Sequence, residues 1–162
     1  GIDALELKFG QFKEIIKKFR TNFPDSIIAT DIITALPGET EEDFQQTINL
    51  IKETKLDVVN ITRYWPMKGT RAEKMNRIDR KTASKRALEV QKLHLRISLN
   101  NFKKYEGKTI EVFVNEQKGS NCLARDENYR LFVIRTNKNI LGRKVKVKVI
   151  KAFSHYLLAE II

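Results

Sequence analysis

An α/β segment followed by a small all-β barrel is the fold class this sequence predicts, and three observations carry it. From Phe12 to Ile61 the apolar residues fall at helical, strand, helical and strand spacing in turn. From residue 105 onward the pattern changes to period-two alternation broken by Gly, Asn and Lys turns. Between the two, the charge balance reverses abruptly at Arg63. The boundaries that follow are residues 1–78 for the α/β part, 79–104 for a basic linking helix and 105–162 for the barrel.

The first element is a helix in which Phe12, Ile15, Ile16, Phe19 and Phe23 share a face, opposite Lys13, Lys17, Lys18 and Arg20. Pro24-Asp25 ends it. "SIIATDIITAL", Ser26 to Leu36, is rich in Ile and Thr and almost continuously apolar, as in a parallel strand covered on both faces. Pro37-Gly38 turns the chain, and Thr40 is the expected N-cap of the next helix. Asp43 sits three residues on, where an acceptor completes a capping box. Glu41, Glu42 and Asp43 also favour the positive end of the helix dipole. Phe44, Thr47, Ile48 and Ile51 mark that helix's buried stripe, and Leu56, Val58, Val59 and Ile61 a second strand. This is βαβ grammar, with a right-handed crossover and parallel strands. Two parallel strands bury too little to stand alone, so the region reads as the tail of a larger domain.

A long helix follows, roughly Arg80 to Lys104, with Leu88, Leu95, Leu99 and Phe102 along one side. Ala87, Val90 and Ile97 widen the stripe. The strands of the barrel are "TIEVFVNE" from Thr109, "YRLFVIRT" from Tyr129, "KVKVKVIKAF" from Lys144 and the closing "YLLAEII". Ile110, Val112 and Val114 face one way, as do Val145, Val147 and Val149.

The formal net charge is +11. Residues 1–62 carry 7 basic and 11 acidic side chains, residues 63–104 carry 13 and 3, and residues 105–162 carry 11 and 6. The basic character is thus confined to the C-terminal two-thirds, and RNA or DNA is the simplest partner for it. Lys144, Lys146 and Lys148 share one strand face as a positive rail. Such a rail suits a nucleic-acid-binding barrel and equally an edge strand guarded by lysines. Tyr64, Trp65 and Pro66 stand among Arg63, Lys68, Arg71 and Lys74, a mixture that fits base stacking with phosphate contact. The single Trp fits core sealing as well. Arg125, Asn128, Tyr129 and Arg130 form a second aromatic–cationic cluster.

Catalytic equipment is sparse. His94 and His155 are the only histidines and Cys122 the only cysteine, so neither a triad nor a multi-cysteine metal site can be assembled from this chain. One cysteine also excludes an internal disulfide and makes a reducing cytoplasm the default. The Pro37–Thr40 turn lies at a strand's C-terminal end, the ligand face of parallel α/β folds. Taken alone, a capped loop without ligand is the commoner case, and its acids argue against a phosphate cradle.

"TDIITALPGETEEDFQQTINLI" and the later "RYWPMKGTRAEKM" resemble two segments of the radical-SAM methylthiotransferases that modify transfer RNA. The final part, from Tyr105-Glu106-Gly107 through Ala124-Arg125 and Asn128-Tyr129 to Leu141-Gly142, resembles the TRAM module, an OB-like RNA-binding barrel. The Asn128-Tyr129-Arg130 run is most similar to the archaeal and eukaryotic branch, which acts on threonylcarbamoyladenosine next to the anticodon. Ala35-Leu36 and Met67-Lys68 depart from the family's Gly-Phe and Arg-Pro.

The resemblance implies the last βαβ of a partial TIM-like radical-SAM barrel, a basic helix and a TRAM barrel. It implies an enzyme that uses S-adenosylmethionine and two four-iron four-sulfur clusters, whose cysteines would lie upstream of Gly1. Leu36, Pro37, Gly38, Glu39 and Thr40 would then lie near the S-adenosylmethionine end. Arg63, Trp65, Arg71, Lys74, Arg125, Asn128, Tyr129, Arg130, Lys144, Lys146 and Lys148 would contact the anticodon stem-loop of tRNA. On this reading the chain by itself binds RNA without catalysis. The alternative is a free-standing TRAM-type RNA-binding protein.

Overall fold

In a computed structural model of the chain, residues 9–162 are described. They fall into two compact units that divide between Leu95 and Arg96.

The first unit holds helix α1 (Phe9–Asn22), strand β1 (Ala29–Thr34), helix α2 (Glu41–Thr54) and strand β2 (Val58–Arg63). A short 3-10 turn (Arg71–Lys74) and the larger part of helix α3 (Arg80–Lys103) follow. β1 and β2 pair in parallel, from Ala29 opposite Val58 to Thr34 opposite Arg63, as βαβ grammar requires. α2 starts on the expected capping box. The Asp43 N–H donates to the Thr40 hydroxyl at 3.1 Å, and the Thr40 N–H donates to the Asp43 carboxylate at 2.9 Å. Asp therefore completes the box that Glu or Gln more often closes. The core gathers Ile16, Leu56 and Val59, with Phe12, Ile28, Ile32 and Ile61 packed on it. Asp57 links α1 to the residue before β1, accepting from Arg20 Nη2 at 2.7 Å and from the Ile28 N–H at 3.0 Å.

Two sequence expectations change here. β1 is not covered on both faces: its burial alternates along the strand, and Ile33 is 57% exposed. A two-stranded sheet with one face packed leaves the other open. Ile15, Phe19, Phe23 and Leu36 are exposed as well. The stripe of α3 also differs, because Leu88 is half exposed. The buried row is Arg86, Val90, His94, Ser98 and Phe102, at four-residue spacing. Three of these five are polar, and each has found a partner. Within the first unit, Arg86 binds Glu39 and Glu41, and His94 Nε2 accepts the Val59 N–H at 3.2 Å. Within the second, the Ser98 hydroxyl donates to the Ser154 carbonyl. Specific hydrogen bonds make this polar row affordable in the interior.

The second unit is a closed five-stranded barrel of β3 (Thr109–Lys118), β4 (Asn121–Arg125), β5 (Leu131–Arg135), β6 (Lys144–Ala152) and β7 (Leu157–Ile161). The order around it is β3-β4-β5-β7-β6, and β3 closes on β6. β5 and β7 run parallel, and every other pair is antiparallel. This is the OB-like arrangement. Closure leaves β6 without a free edge, so its lysines are not there to guard one. Val112, Val114, Ala124, Phe132, Ile134, Val147, Val149 and Leu157 fill the interior. Cys122 lies among them, fully buried, and desolvation pushes its thiol pKa up. It behaves as a small apolar side chain.

The Tyr105-Glu106-Gly107 run is tied to the barrel by hydrogen bonds. The Tyr105 hydroxyl accepts from Arg130 Nη1 at 2.7 Å, and a Glu106 oxygen accepts the Ala152 N–H at 2.8 Å. Gly107 takes φ 78°, a conformation that strains other residues.

Candidate nucleic-acid interface

The outer wall of the barrel presents a row that crosses three strands. Phe113 on β3 pairs with Arg125 on β4 and with Lys144 on β6. Residues opposite one another in a sheet share a face, so a cation stands on each side of this aromatic ring. Phe113 lies out of phase with inward Val112 and Val114 and is about half exposed. It is absent from the residues expected above to contact RNA, and its sequence signal is an aromatic at an outward strand position.

Arg125 links the row to the β4–β5 loop. Its guanidinium lies 4.2 Å from the centre of the Tyr129 ring, and its Nη1 donates to the Tyr129 carbonyl at 2.9 Å. Tyr129 is 71% exposed and holds φ 65°, an uncommon conformation for a bulky residue. Asp126 maintains it. One carboxylate oxygen accepts the N–H groups of Asn128 and Arg130 at 3.0 and 2.9 Å, and the other accepts from Arg130 Nε at 2.6 Å. Asn128 thus contributes backbone to the turn.

Arg130 departs from the surface role expected of it. It is buried, bound to Asp126 and Tyr105, with its guanidinium 4.3 Å from the Tyr105 ring centre. The loop is therefore built from inside by Asp126, Arg130 and Tyr105, and shows Arg125 and Tyr129 outward.

Lys144, Lys146 and Lys148 all point outward, as the alternation predicts. Their strand neighbours carry acids, however. Glu111 stands opposite Lys146 and lies 3.6 Å from the Lys144 ammonium, while Glu160 stands opposite Lys148. The rail is a striped surface in which each lysine has an acid beside or opposite it.

In the first unit Arg63 is exposed, with Nη1 donating to the Ser84 hydroxyl at 3.1 Å. Trp65 is 82% exposed, which removes the core-sealing reading. Arg71 and Lys74 are exposed on the 3-10 turn.

The Leu36–Thr40 loop is held in a specific shape. Ala35 has φ 61° and Gly38 φ 86°. A side chain at Gly38 would also come within 3.1 Å of Met75 Cε. Glu39 turns inward: it accepts the Ala35 N–H at 3.1 Å and forms an ion pair with Arg86 at 2.6 Å. Pro37 is buried, whereas Leu36, Gly38 and Thr40 remain at the surface. Burial lowers the Arg86 pKa, but hydrogen bonds with Glu39 and Glu41 outweigh it and leave the pKa raised. Among the described residues no group of three or more His, Cys, Asp or Glu could hold a metal ion. With Cys122 sealed in the barrel, the residues of this chain do not fit an iron–sulfur cluster. No helix among the described residues is long and apolar enough to cross a membrane.

The TRAM domain family matches residues 103–162. The chain is 38% identical over 153 residues to a "Probable threonylcarbamoyladenosine tRNA methylthiotransferase" of Pyrococcus horikoshii, covering 94% of this chain and 36% of the relative. A protein of the same description from Methanocaldococcus jannaschii is 37% identical, covering 94% and 34%. A "tRNA-2-methylthio-N(6)-dimethylallyladenosine synthase" of Thermosipho africanus is 33% identical, covering 94% and 36%. The chain spans about a third of the length of these curated relatives.

Proposed function

From a chain that carries a TRAM domain at residues 103–162 and is homologous over 94% of its length to tRNA methylthiotransferases, we propose the C-terminal part of such an enzyme. The parent acts on threonylcarbamoyladenosine beside the anticodon, and this part holds the tRNA anticodon stem-loop. Residues 1–78 are the last βαβ of its radical-SAM domain, 79–104 the linking helix and 105–162 the RNA-binding barrel. The protein works in the cytoplasm.

One observation carries the reading: the relatives match the α/β segment and the barrel together, where a free-standing TRAM protein needs only the barrel. The uncovered face of β1, with Ile33 in solvent and Leu36 exposed in the loop beyond it, supports the same view. A complete α/β domain buries such a strand on both sides.

In the whole enzyme, S-adenosylmethionine and two four-iron four-sulfur clusters supply radical generation, sulfur and methyl group. Cluster ligands are outside the capability of this chain, which alone is inactive. Its own contribution is to hold RNA through Arg63, Trp65, Arg71, Lys74, Arg125, Tyr129 and the β6 lysines, and to hold the Leu36–Thr40 loop rigid near the cofactor.

The test is equilibrium binding of an anticodon stem-loop RNA by this chain across a salt series. Affinity falls steeply with salt if several phosphates are neutralised. A curve indifferent to salt would sink the proposal.

A further inference from the structure

Lys144, Phe113 and Arg125, the row across three strands, line a cavity of about 340 Å³ on the barrel. Its other lining includes Glu111, Asp126 and Glu127. Acids are unexpected where a polyanion docks. Asp126 is bound to Arg130 at 2.6 Å inside the loop, and Glu111 lies 3.6 Å from Lys144 at the surface. Glu127 is exposed and makes no ion pair or hydrogen bond among the described residues.

We propose that this cavity receives one unpaired nucleobase, with guanine preferred, stacked on Phe113 and read by the Glu127 carboxylate. The inference rests on the RNA-binding reading above and adds which part of the RNA enters and how it is discriminated. Glu127 repels phosphate, whereas Lys144 and Arg125 in the same lining attract it. The group that approaches Glu127 is therefore the base, and the backbone runs by the cations. Phe113 offers the aromatic face on which any base stacks.

A carboxylate only accepts hydrogen bonds, so it selects bases by the donors on their edges. Guanine presents N1–H and N2–H side by side, which matches the two oxygens of one carboxylate. Adenine and cytosine offer one amino group each. Uracil offers a single N–H between two carbonyls that a carboxylate repels. These edges are free only in single-stranded RNA, so loop nucleotides are the ligand and an A-form stem is not.

The test uses the full 162-residue chain with two six-nucleotide RNAs, all-uridine and uridine with one central guanosine. The guanosine RNA binds roughly tenfold more tightly, in line with one bidentate base contact. Glu127→Gln brings the two affinities together and leaves the salt slope unchanged. Phe113→Ala weakens both and abolishes the fluorescence quenching of a central 2-aminopurine. Equal affinities for the two RNAs in the unaltered chain, or a preference that survives in Glu127→Gln, overturns the inference while RNA binding stands. Failure of both RNAs to bind at low salt overturns the RNA reading itself and this inference with it.

Discussion

Arg86 reaches Glu39 across 47 positions of sequence and binds its carboxylate at 2.6 Å, with the two side chains 8% and 12% exposed. Glu39 in turn accepts the N–H of Ala35, and Arg86 also donates to the Glu39 carbonyl at 3.2 Å. The basic helix α3 is therefore the clamp on the Pro37–Thr40 turn. Removing one partner of a buried pair leaves the other charge stranded, a loss of about 3–5 kcal/mol. Arg86→Ala is expected to lower the unfolding free energy of the chain by about that much in urea titrations. Adding Glu39→Gln should recover a substantial part. A loss in Arg86→Ala within measurement error would remove the clamp from the account.

Two helix starts depend on ionised aspartates, and both give a pH signature. The hydroxyl and N–H of Thr40 hold the Asp43 pKa below its ordinary value, and Thr82, by hydroxyl and N–H, does the same for Asp79 at the start of α3. A depressed carboxylate pKa contributes stability above the unfolded-state value of about 4 and loses it as pH falls through the folded value. Melting temperature should therefore drop on acidification below about pH 4. Asp79→Asn keeps a capping acceptor and should flatten that drop; an identical acid profile in the variant would count against the assignment.

What could be read from the chain was local. Thr40 and Asp43 announce their cap by spacing, and Val145, Val147 and Val149 announce an inward strand face, because each signal lies within one element. The long-range facts were not legible. Arg86, His94 and Ser98 look like a solvent face until Glu39, Val59 and Ser154 are brought to them. Ile33 has the composition of a two-sided strand, but its exposure depends on what packs there. At the site, Arg125 and Tyr129 were visible as a cluster, whereas Arg130 was read as surface although Asp126, four residues earlier, offered it a partner. Phe113 was legible by phase and was missed, since an aromatic among valines reads as core.

Lys55 closes α2 in the left-handed conformation, at φ 47° and ψ 47°, with its N–H donating to the Ile51 carbonyl. Left-handed backbone costs an L-residue roughly 1–2 kcal/mol, and glycine avoids this at some entropic loss in the unfolded chain. Lys55→Gly is expected to stabilise the chain by about 0.5–1 kcal/mol net, a shift that thermal or urea unfolding resolves. A destabilised variant would mean that the lysine side chain contributes more than its backbone strain.

The acids beside the β6 lysines set up the final prediction. Glu111 and Glu160 face Lys146 and Lys148 across the sheet, and Glu111 also approaches Lys144. If the rail contacts phosphates, these carboxylates hold its cations back and oppose the polyanion. Glu111→Gln and Glu160→Gln should then tighten RNA binding at low salt, and the gain should shrink as salt screens it. Lys144→Ala acts in the opposite sense: it should weaken binding to all sequences and reduce the slope of log affinity against log salt by about 0.7–0.9. Both sets of variants change exposed side chains, so near-normal unfolding is expected alongside. If the glutamine variants bind no better and the Lys144 variant no worse, the RNA backbone runs elsewhere on the barrel, and the stripe of alternating charge serves the sheet alone.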